Sequence, residues 1–218
     1  MENSLNHGHY ICIEGLDGSG KSTLVDFLKE RMDEADISFT VASPTKSTNP
    51  QAWSERIYRA MPILKKFSIS RSVIYALRSK SVAQQTNWQC RVILGDRSVI
   101  TSYVTRWRRW FNSVRLTVWF VNIMEPFIPA PSHVLFLELD PVIQRERLEQ
   151  RGPLDIDETV ERSEQMRKAY CEMRSSDLIQ RLSNTQWHSV NAAQSPTQVA
   201  DEAWNIILVL ITDKTVEI

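Results

Sequence analysis

One stretch of this chain has residue types and spacing that can do chemistry by themselves. Gly15-Leu16-Asp17-Gly18-Ser19-Gly20-Lys21-Ser22, followed by Thr23, satisfies G-x-x-x-x-G-K-[ST] in full. Glycines let the backbone curl until successive N–H groups point inward at phosphate oxygens. A helix beginning near Lys21 adds the positive end of its dipole to the same spot. In this pattern the lysine reaches the β- and γ-phosphates and the Ser22 hydroxyl ligates Mg²⁺. A chance glycine-rich turn is the bland alternative. It does not explain why the apolar run Tyr10–Glu14 stands just before the loop and an amphipathic segment just after it. The chemistry is binding of a nucleoside triphosphate.

A second candidate pair is Asp96-Arg97, at the end of the apolar run Arg91–Leu94. An arginine there grips a phosphate bidentately, and the carboxylate holds a Mg²⁺-bound water or a sugar hydroxyl. The competing reading is a helix start capped by Asp96. GTPases would need a base-reading N-K-x-D, and the chain has none. A third group follows Asp140-Pro141, where Arg147 and Arg151 stand four apart and project from one helix face while Arg145 points elsewhere. Asp155 and Asp157 come next. Arginines on a closing segment over 145–160 neutralise charge on a moving phosphoryl group and exclude water. A solvated helix of Glu–Arg pairs would look the same in isolation.

These groups need a frame, and the apolar pattern supplies one. Tyr10–Glu14, Ser38–Ala42, Arg91–Leu94, His133–Leu139 and Trp187–Val190 read as strands. Between them come helical patterns at Thr23–Met32, Pro50–Gln85 with a break near Pro62, Ser98–Met124 as one or two helices, Val142–Gln150, Glu158–Leu182 and Thr197–Leu210. Strands alternating with helices predict an α/β fold, a parallel sheet covered on both faces.

Composition agrees with one domain spanning residues 1–218. The chain has 218 residues, with 42% hydrophobic and 24% charged, and folding at this length buries roughly 70% of the unfolded surface. Lys+Arg and Asp+Glu both number 26, so the net charge is zero and any anion site must be local. Cys12, Cys90 and Cys171 are far apart with no C-x-x-C, which predicts reduced, buried thiols in a cytoplasmic protein. Leu116–Ile123 and Trp204–Ile211 fall well short of the ~20 apolar residues that span a bilayer, so no membrane association is expected.

With these residues in place, the sequence resembles the thymidylate kinase family of P-loop nucleoside monophosphate kinases, from about Tyr10 to Ile211. Ile13 to Thr23 is similar to that family's phosphate loop, Asp17 included. Asp96-Arg97 with Thr101-Ser102 resembles its D-R-x-x-x-S-S segment. Leu139-Asp140-Pro141 leading to Arg147, Arg151 and Gly152 resembles its strand-to-lid junction, and Arg167 with Tyr170 its V-R-x-x-Y helix. Val190-Asn191-Ala192 and then Val199 are similar to its last strand and closing helix. The resemblance implies a three-layer P-loop fold with about five parallel strands, a short arginine-bearing lid and commonly a homodimer. It implies ATP- and Mg²⁺-dependent phosphoryl transfer to a nucleoside monophosphate, dTMP to dTDP by default. Residue by residue, it implies Gly15 to Thr23 on ATP, with Lys21 on its phosphates, and Ser22 and Asp96 on the metal. It places Asp17, Arg78, Asp96, Arg97, Ser102 and Tyr170 on the acceptor side, and Arg147 and Arg151 as lid cations. Gly18 stands where some members carry a loop arginine.

Three segments depart from the family. Its R-E-P-G-G is here Val41–Lys46, which keeps only Pro44. Its F-A-A-D-R is Tyr75–Lys80, which matches Arg78 to the base-reading arginine within one residue. Its S-S-x-A-Y-Q is Thr101–Arg106. All three lie on the acceptor side, which leaves open a modified nucleotide or another small phosphorylated acceptor. From a different class, a nucleotide-binding switch protein without phosphotransfer also fits these changes. Arg106-Trp107-Arg108-Arg109-Trp110 has the basic–aromatic interleaving of single-strand nucleic-acid binders. Against that stands the stripe Trp107, Trp110, Val114 and Val118, spaced i, i+3, i+7 and i+11, which faces a core or a dimer partner. His7 and His9 are expected in a disordered N-terminus.

Overall fold

A computed structural model describes residues 8–45, 56, 60, 68–108, 112–153, 158–175 and 177–213. Five strands form one sheet in which every adjacent pair is parallel: β1 (His9–Gly15), β2 (Phe39–Ala42), β3 (Val92–Asp96), β4 (His133–Glu138) and β5 (Gln186–Asn191), in the order β2-β3-β1-β4-β5. The described helices are α1 (Lys21–Glu34), α2 (Ser68–Gln85), α3 (Val99–Thr105), α4 (Val114–Met124), α5 (Pro141–Arg151), α6 (Val160–Arg174) and α7 (Pro196–Asp213). The α/β expectation holds.

Alternation along the buried strands separates two cores. Ile11, Ile13, Val92, Leu94, Leu135 and Leu137 face α1 and α7, where Leu28, Met32, Ala203 and Ile207 meet them. Tyr10, Ile93, Val134 and Phe136 face the other way, onto α3, α4 and α6. Each fully buried large aliphatic contributes about 1.5–3 kcal/mol against exposure, so covering both faces is what keeps so short a sheet together.

Local signals explain the helix ends. Asp140 Oδ1 accepts from the Val142 amide at 2.8 Å and Pro141 occupies the first turn of α5. The stretch 98–124 is two helices, because Ser98 caps α3 and Ser113 caps α4 through the Leu116 amide at 3.3 Å. The helix expected over Glu158–Leu182 stops at Arg174. Ser175 Oγ donates back to the Cys171 and Glu172 carbonyls at 3.1 Å, and a separate 3₁₀ turn covers Gln180–Leu182. His9 is buried at the start of β1, which corrects the expectation of disorder there, and His7 lies outside the described residues. The break near Pro62 lies outside them as well. The three thiols form no disulfide, yet of the three only Cys12 is buried; Cys90 is half-buried and Cys171 exposed on α6, against the expectation of burial. Among the described residues no helix is long and apolar enough to cross a membrane.

Candidate active site

The P-loop and the Asp96-Arg97 pair leave the same carboxyl edge of the sheet, because Ile13 of β1 is in register with Asp96 of β3. After Gly15 the chain turns through Gly18 (φ +83°) and Gly20 (φ +90°), the left-handed region that favours glycine. Gly20 is the N-cap of α1, and no side chain caps that helix. Its first-turn amides are therefore oriented for an anion. The Ser19 hydroxyl is buried beneath them with no hydrogen-bond partner, which fits a loop shaped around phosphate oxygens.

Lys21 is 7% exposed, and its Nζ donates to the Leu16 carbonyl at 2.5 Å and lies 3.8 Å from Asp17 Oδ1. Burial and the Arg97 guanidinium push its amine down to about 7, against the pull of Asp17, Glu14 and Asp96. Arg97 pairs directly with Asp17. Burial by itself would raise the Asp17 carboxyl, but Arg97 and Lys21 outweigh it, with Arg151 adding its field, and hold it below the ordinary value. Burial also works against the Arg97 charge, and Asp17, Tyr170 and Glu14 together outweigh that to raise it. Arg97 adopts φ +69°, a conformation that β-carbon-bearing residues rarely take. Its amide donates to the Ile13 carbonyl at 3.3 Å.

What holds that conformation is Glu14, fully buried. Its Oε1 accepts from the Ser98 amide at 2.8 Å and the Ser98 hydroxyl at 2.9 Å. Its Oε2 accepts from the Thr101 and Tyr170 hydroxyls, both at 2.8 Å. One carboxyl thus joins β1, the start of α3 and α6. Burial, then Glu14, raise the Tyr170 phenol well above its ordinary value. Tyr170, expected on the acceptor, is fully buried, its ring tilted against Phe136 with centroids 4.9 Å apart, so it stands behind the site wall.

Two cavities adjoin the loop. The larger, about 840 Å³, is lined by Asp17, Arg97, Thr101, Ser102, Thr105, Arg106, Trp107 and Arg108, by Thr45, Ser72 and Tyr75, and by Arg162, Gln165 and Lys168 of α6. The smaller, about 260 Å³, lies between Gly18, Ser19, Gly20 and Thr23 on one side and Ala192, Gln194 and Pro196 on the other, with Arg147 on its rim. Of the expected site residues, Asp17, Arg97 and Ser102 come together on the large cavity. Arg147 goes to the small one. Arg151 is half exposed and bonds Glu158 through its Nη2, at 2.5 Å to Oε2. The two arginines expected on a lid both lie on α5 but meet different surroundings. Arg145 pairs with Glu149 at 2.9 Å, as in a solvated helix. Asp155 and Asp157 lie outside the described residues.

Ser22 is exposed at the start of α1, and Asp96 is buried at the end of β3, close enough to Lys21 to act on its charge. Both offer hard oxygen donors, the chemistry Mg²⁺ takes. Asp96 does not cap the following helix, because the Ser98 hydroxyl accepts from the Ile100 amide at 3.1 Å instead. Arg78 does not line either cavity. Its Nη1 donates to the Thr45 carbonyl at 3.0 Å and its guanidinium sits 5.7 Å over the Tyr75 ring.

Several members of the site carried no signal strong enough to single out. Gln144 is buried on α5, donates to the Asp17 carbonyl at 3.0 Å and accepts from Arg167 at 3.0 Å, bracing the loop from the lid side. Gly18 belongs to the same contact, since a β-carbon there would meet Leu148 at 3.1 Å. A larger residue here would take a left-handed conformation (φ +83°) and press on Leu148 and on the Gln144 carbonyl at 3.3 Å. Glu14 was visible as an acid inside an apolar run, and Arg106 as part of a basic cluster. Arg106 is buried and Arg108 bonds Glu172 at 2.9 Å. Arg106, Trp107 and Arg108 all line the large cavity. Trp107, Val114 and Val118 join the core, while Arg109 and Trp110 lie outside the described residues.

Comparison with known proteins points to one family. The family model for thymidylate kinase matches residues 13–203. The "probable thymidylate kinase" of Methanosphaera stadtmanae is 26% identical over 212 residues, covering 91% of this chain and 97% of the relative. That of Methanobrevibacter smithii is 34% identical over 104 residues, 43% of this chain and 49% of the relative. Among solved structures, thymidylate kinase from Candida albicans superposes with a TM-score of 0.65 at 19% identity, covering 93% of this chain and 92% of its own. Deoxyadenosine kinase from M. mycoides, bound to dCMP and dCDP, gives 0.61 at 16% identity, covering 92% and 99%. At such identities the structural likenesses speak for the fold. With the family match running through the P-loop, Asp96-Arg97 and α5, the chain belongs to the thymidylate kinase family of nucleoside monophosphate kinases.

Proposed function

We propose that the chain transfers the γ-phosphoryl group of ATP to a nucleoside monophosphate, with dTMP as acceptor and dTDP as product. The observation that carries this is the Asp17–Arg97 pair on the wall of the 840 Å³ cavity, with Asp17 on the same loop as Lys21. The acceptor phosphate is assigned to Arg97, where bidentate donors meet it beside the γ-phosphate position. Lys21 and the amides of Gly18 to Ser22 take the donor phosphates, and Arg147 borders the slot for the donor's base. Mg²⁺ bound between the phosphates would be held by Ser22 and Asp96 and would supply charge neutralisation at the transferring group. Arg151 is the mobile cation of the lid, exchanging Glu158 for phosphate oxygens as the site closes. Every one of these groups positions or neutralises, which is what phosphoryl transfer asks of a protein. A second copy of the chain is assigned to the exposed stripe Leu116, Trp119 and Ile123 of α4, and a monomer in sedimentation at micromolar concentration would remove that assignment.

The test is ADP release from ATP–Mg²⁺ with dTMP, dUMP, dGMP, dCMP, dAMP and UMP. Turnover led by dTMP supports the reading. Turnover led by another nucleotide keeps the mechanism and replaces the acceptor. Silence on all of them, with ATP still bound, removes the kinase reading in favour of a binding role.

A further inference from the structure

Lys and Arg together number 26 in this chain, as do Asp and Glu, but the wall of the large cavity is not balanced in this way. Among the described residues, five cations line it against two carboxylates. Arg97 pairs with Asp17, Arg108 pairs with Glu172 at 2.9 Å, and Arg106 lies 3.7 Å from the buried Glu125. Arg162 Nη2 donates to the Thr105 carbonyl at 2.6 Å. The fifth cation is Lys168, exposed on α6, whose ammonium has no hydrogen-bond or ion-pair partner among the described residues.

Helical spacing offers Lys168 a partner that the structure gives to others. Glu172 stands four residues on, but its carboxylate accepts from the Trp107 indole and the Arg108 guanidinium, each at 2.9 Å. The two residues of α6 that resembled a site pair are turned elsewhere. Arg167 donates to the Leu139 carbonyl at 2.8 Å and to Gln144 at 3.0 Å, and Tyr170 is buried on Glu14. Arg162, Gln165 and Lys168, spaced i, i+3 and i+6, bring the helix's polar groups to the cavity instead. An ammonium is a compact charge on a flexible stem with three donors. Without a partner carboxylate it attracts an anion at a distance and has no ion pair to break first.

We propose that Lys168 is the recruiting cation of the large cavity, drawing the acceptor in by its phosphate charge and lowering its KM. This rests on the acceptor reading above and adds the residue that gathers the substrate. A phosphate monoester carries close to two negative charges at pH 7, since its second pKa is about 6, and low-dielectric cleft walls concentrate the field that meets it. Arg97 then holds the phosphate for transfer. Lys168 takes no part in the chemical step.

The experiment measures kcat and KM at saturating ATP for the monophosphate turned over fastest, dTMP by the reading above. It compares the unaltered protein with Lys168→Gln, Lys168→Glu and Lys168→Arg. Two ionic strengths, about 0.02 M and about 0.5 M, set screening lengths of about 20 Å and about 4 Å. A unit charge roughly 10 Å from a dianion in water, mildly screened, changes its binding about 3-fold. At low salt Lys168→Gln should therefore raise KM about 3-fold and Lys168→Glu, with the sign reversed, about 10-fold, while kcat holds. Lys168→Arg should match the unaltered protein. At high salt all four proteins should agree within about 1.5-fold. The matching nucleoside, which has base and sugar without the charge, should inhibit all four equally. A KM shift that persists at high salt, or that the nucleoside's inhibition shares, means a contact with sugar or base or an altered fold, and overturns the proposal. An unchanged KM at low salt, or a fall in kcat, overturns it too. Each of these results sinks Lys168 alone, because the unaltered protein still turns over a monophosphate. No turnover of any monophosphate by the unaltered protein sinks the acceptor reading and this proposal with it.

Discussion

The donor side and the acceptor side of this site are built in opposite ways. The phosphate loop takes nearly all its groups from eight consecutive residues, Gly15 to Ser22, plus the bare N-terminus of α1. The large cavity, proposed for the acceptor, draws on the loop after β2, on α2, on α3 with its flanks, and on α6. A contiguous motif works through backbone geometry, which glycine placement sets locally. A dispersed one works through side chains that only packing brings together, so its members can be exchanged one at a time. That difference accounts for where this chain departs from its family: all three altered segments lie on the dispersed side.

Mutations sharpen the contrast. Lys21→Ala should lower kcat by about 10³-fold or more with any acceptor, since it removes the cation next to the transferring group. A thermal melt of the variant should still show one cooperative unfolding, and retained turnover would mean that the loop is not the donor site. Arg97→Ala should cost about 10²–10³-fold in kcat/KM for the monophosphate, the range for one lost charge-stabilising donor, while background ATP hydrolysis stays. Equal loss in both assays would erase the distinction between the two sides.

Glu14 joins the two regions, so its removal should be felt as stability. Glu14→Gln turns an amide donor toward hydroxyl and amide donors. It should cost about 2 kcal/mol, roughly 6 °C in Tm at this chain length. An unchanged Tm would show that the four hydrogen bonds are not the fastener they look to be.

The smallest effect is a proton. Lys21 is held at about 7 in the free protein, and donor phosphates restore its charge. Above pH 7 ATP binding should therefore take up close to one proton, and below pH 6 very little. The sign for folding runs the other way. The depressed amine binds fewer protons folded than unfolded, so its contribution to stability rises with pH from about 7 towards the ordinary lysine range. Calorimetric titrations in buffers of different ionisation enthalpy read the uptake directly, and none at pH 8 would contradict a buried, depressed Lys21.

How much of this was legible beforehand follows the same division. The P-loop was readable because its function lies in backbone conformation at fixed spacing. The α/β class was readable because buried parallel strands are short apolar runs between amphipathic helices. Arg147 and Arg151 were correctly placed on one face, yet periodicity cannot say that one borders the small cavity and the other reaches Glu158. Tyr170 and Arg78 sat at recognisable positions, but burial against Glu14 and rotation onto Thr45 took both out of the cavity lining.

By itself, then, the amino-acid order determined the strand–helix alternation, the phosphate loop and the arginines that follow β3 and β4, because each is written in neighbouring residues. Tertiary structure decided the rest. It gathered the Glu14 carboxyl with Ser98, Thr101 and Tyr170, seated Gln144 on the loop, and turned Arg106 from a basic cluster into a buried wall of the cavity. Those pairings join residues up to 156 positions apart. Their energies come from burying polar groups against each other, a quantity that exists only once the sheet and both helical layers have closed.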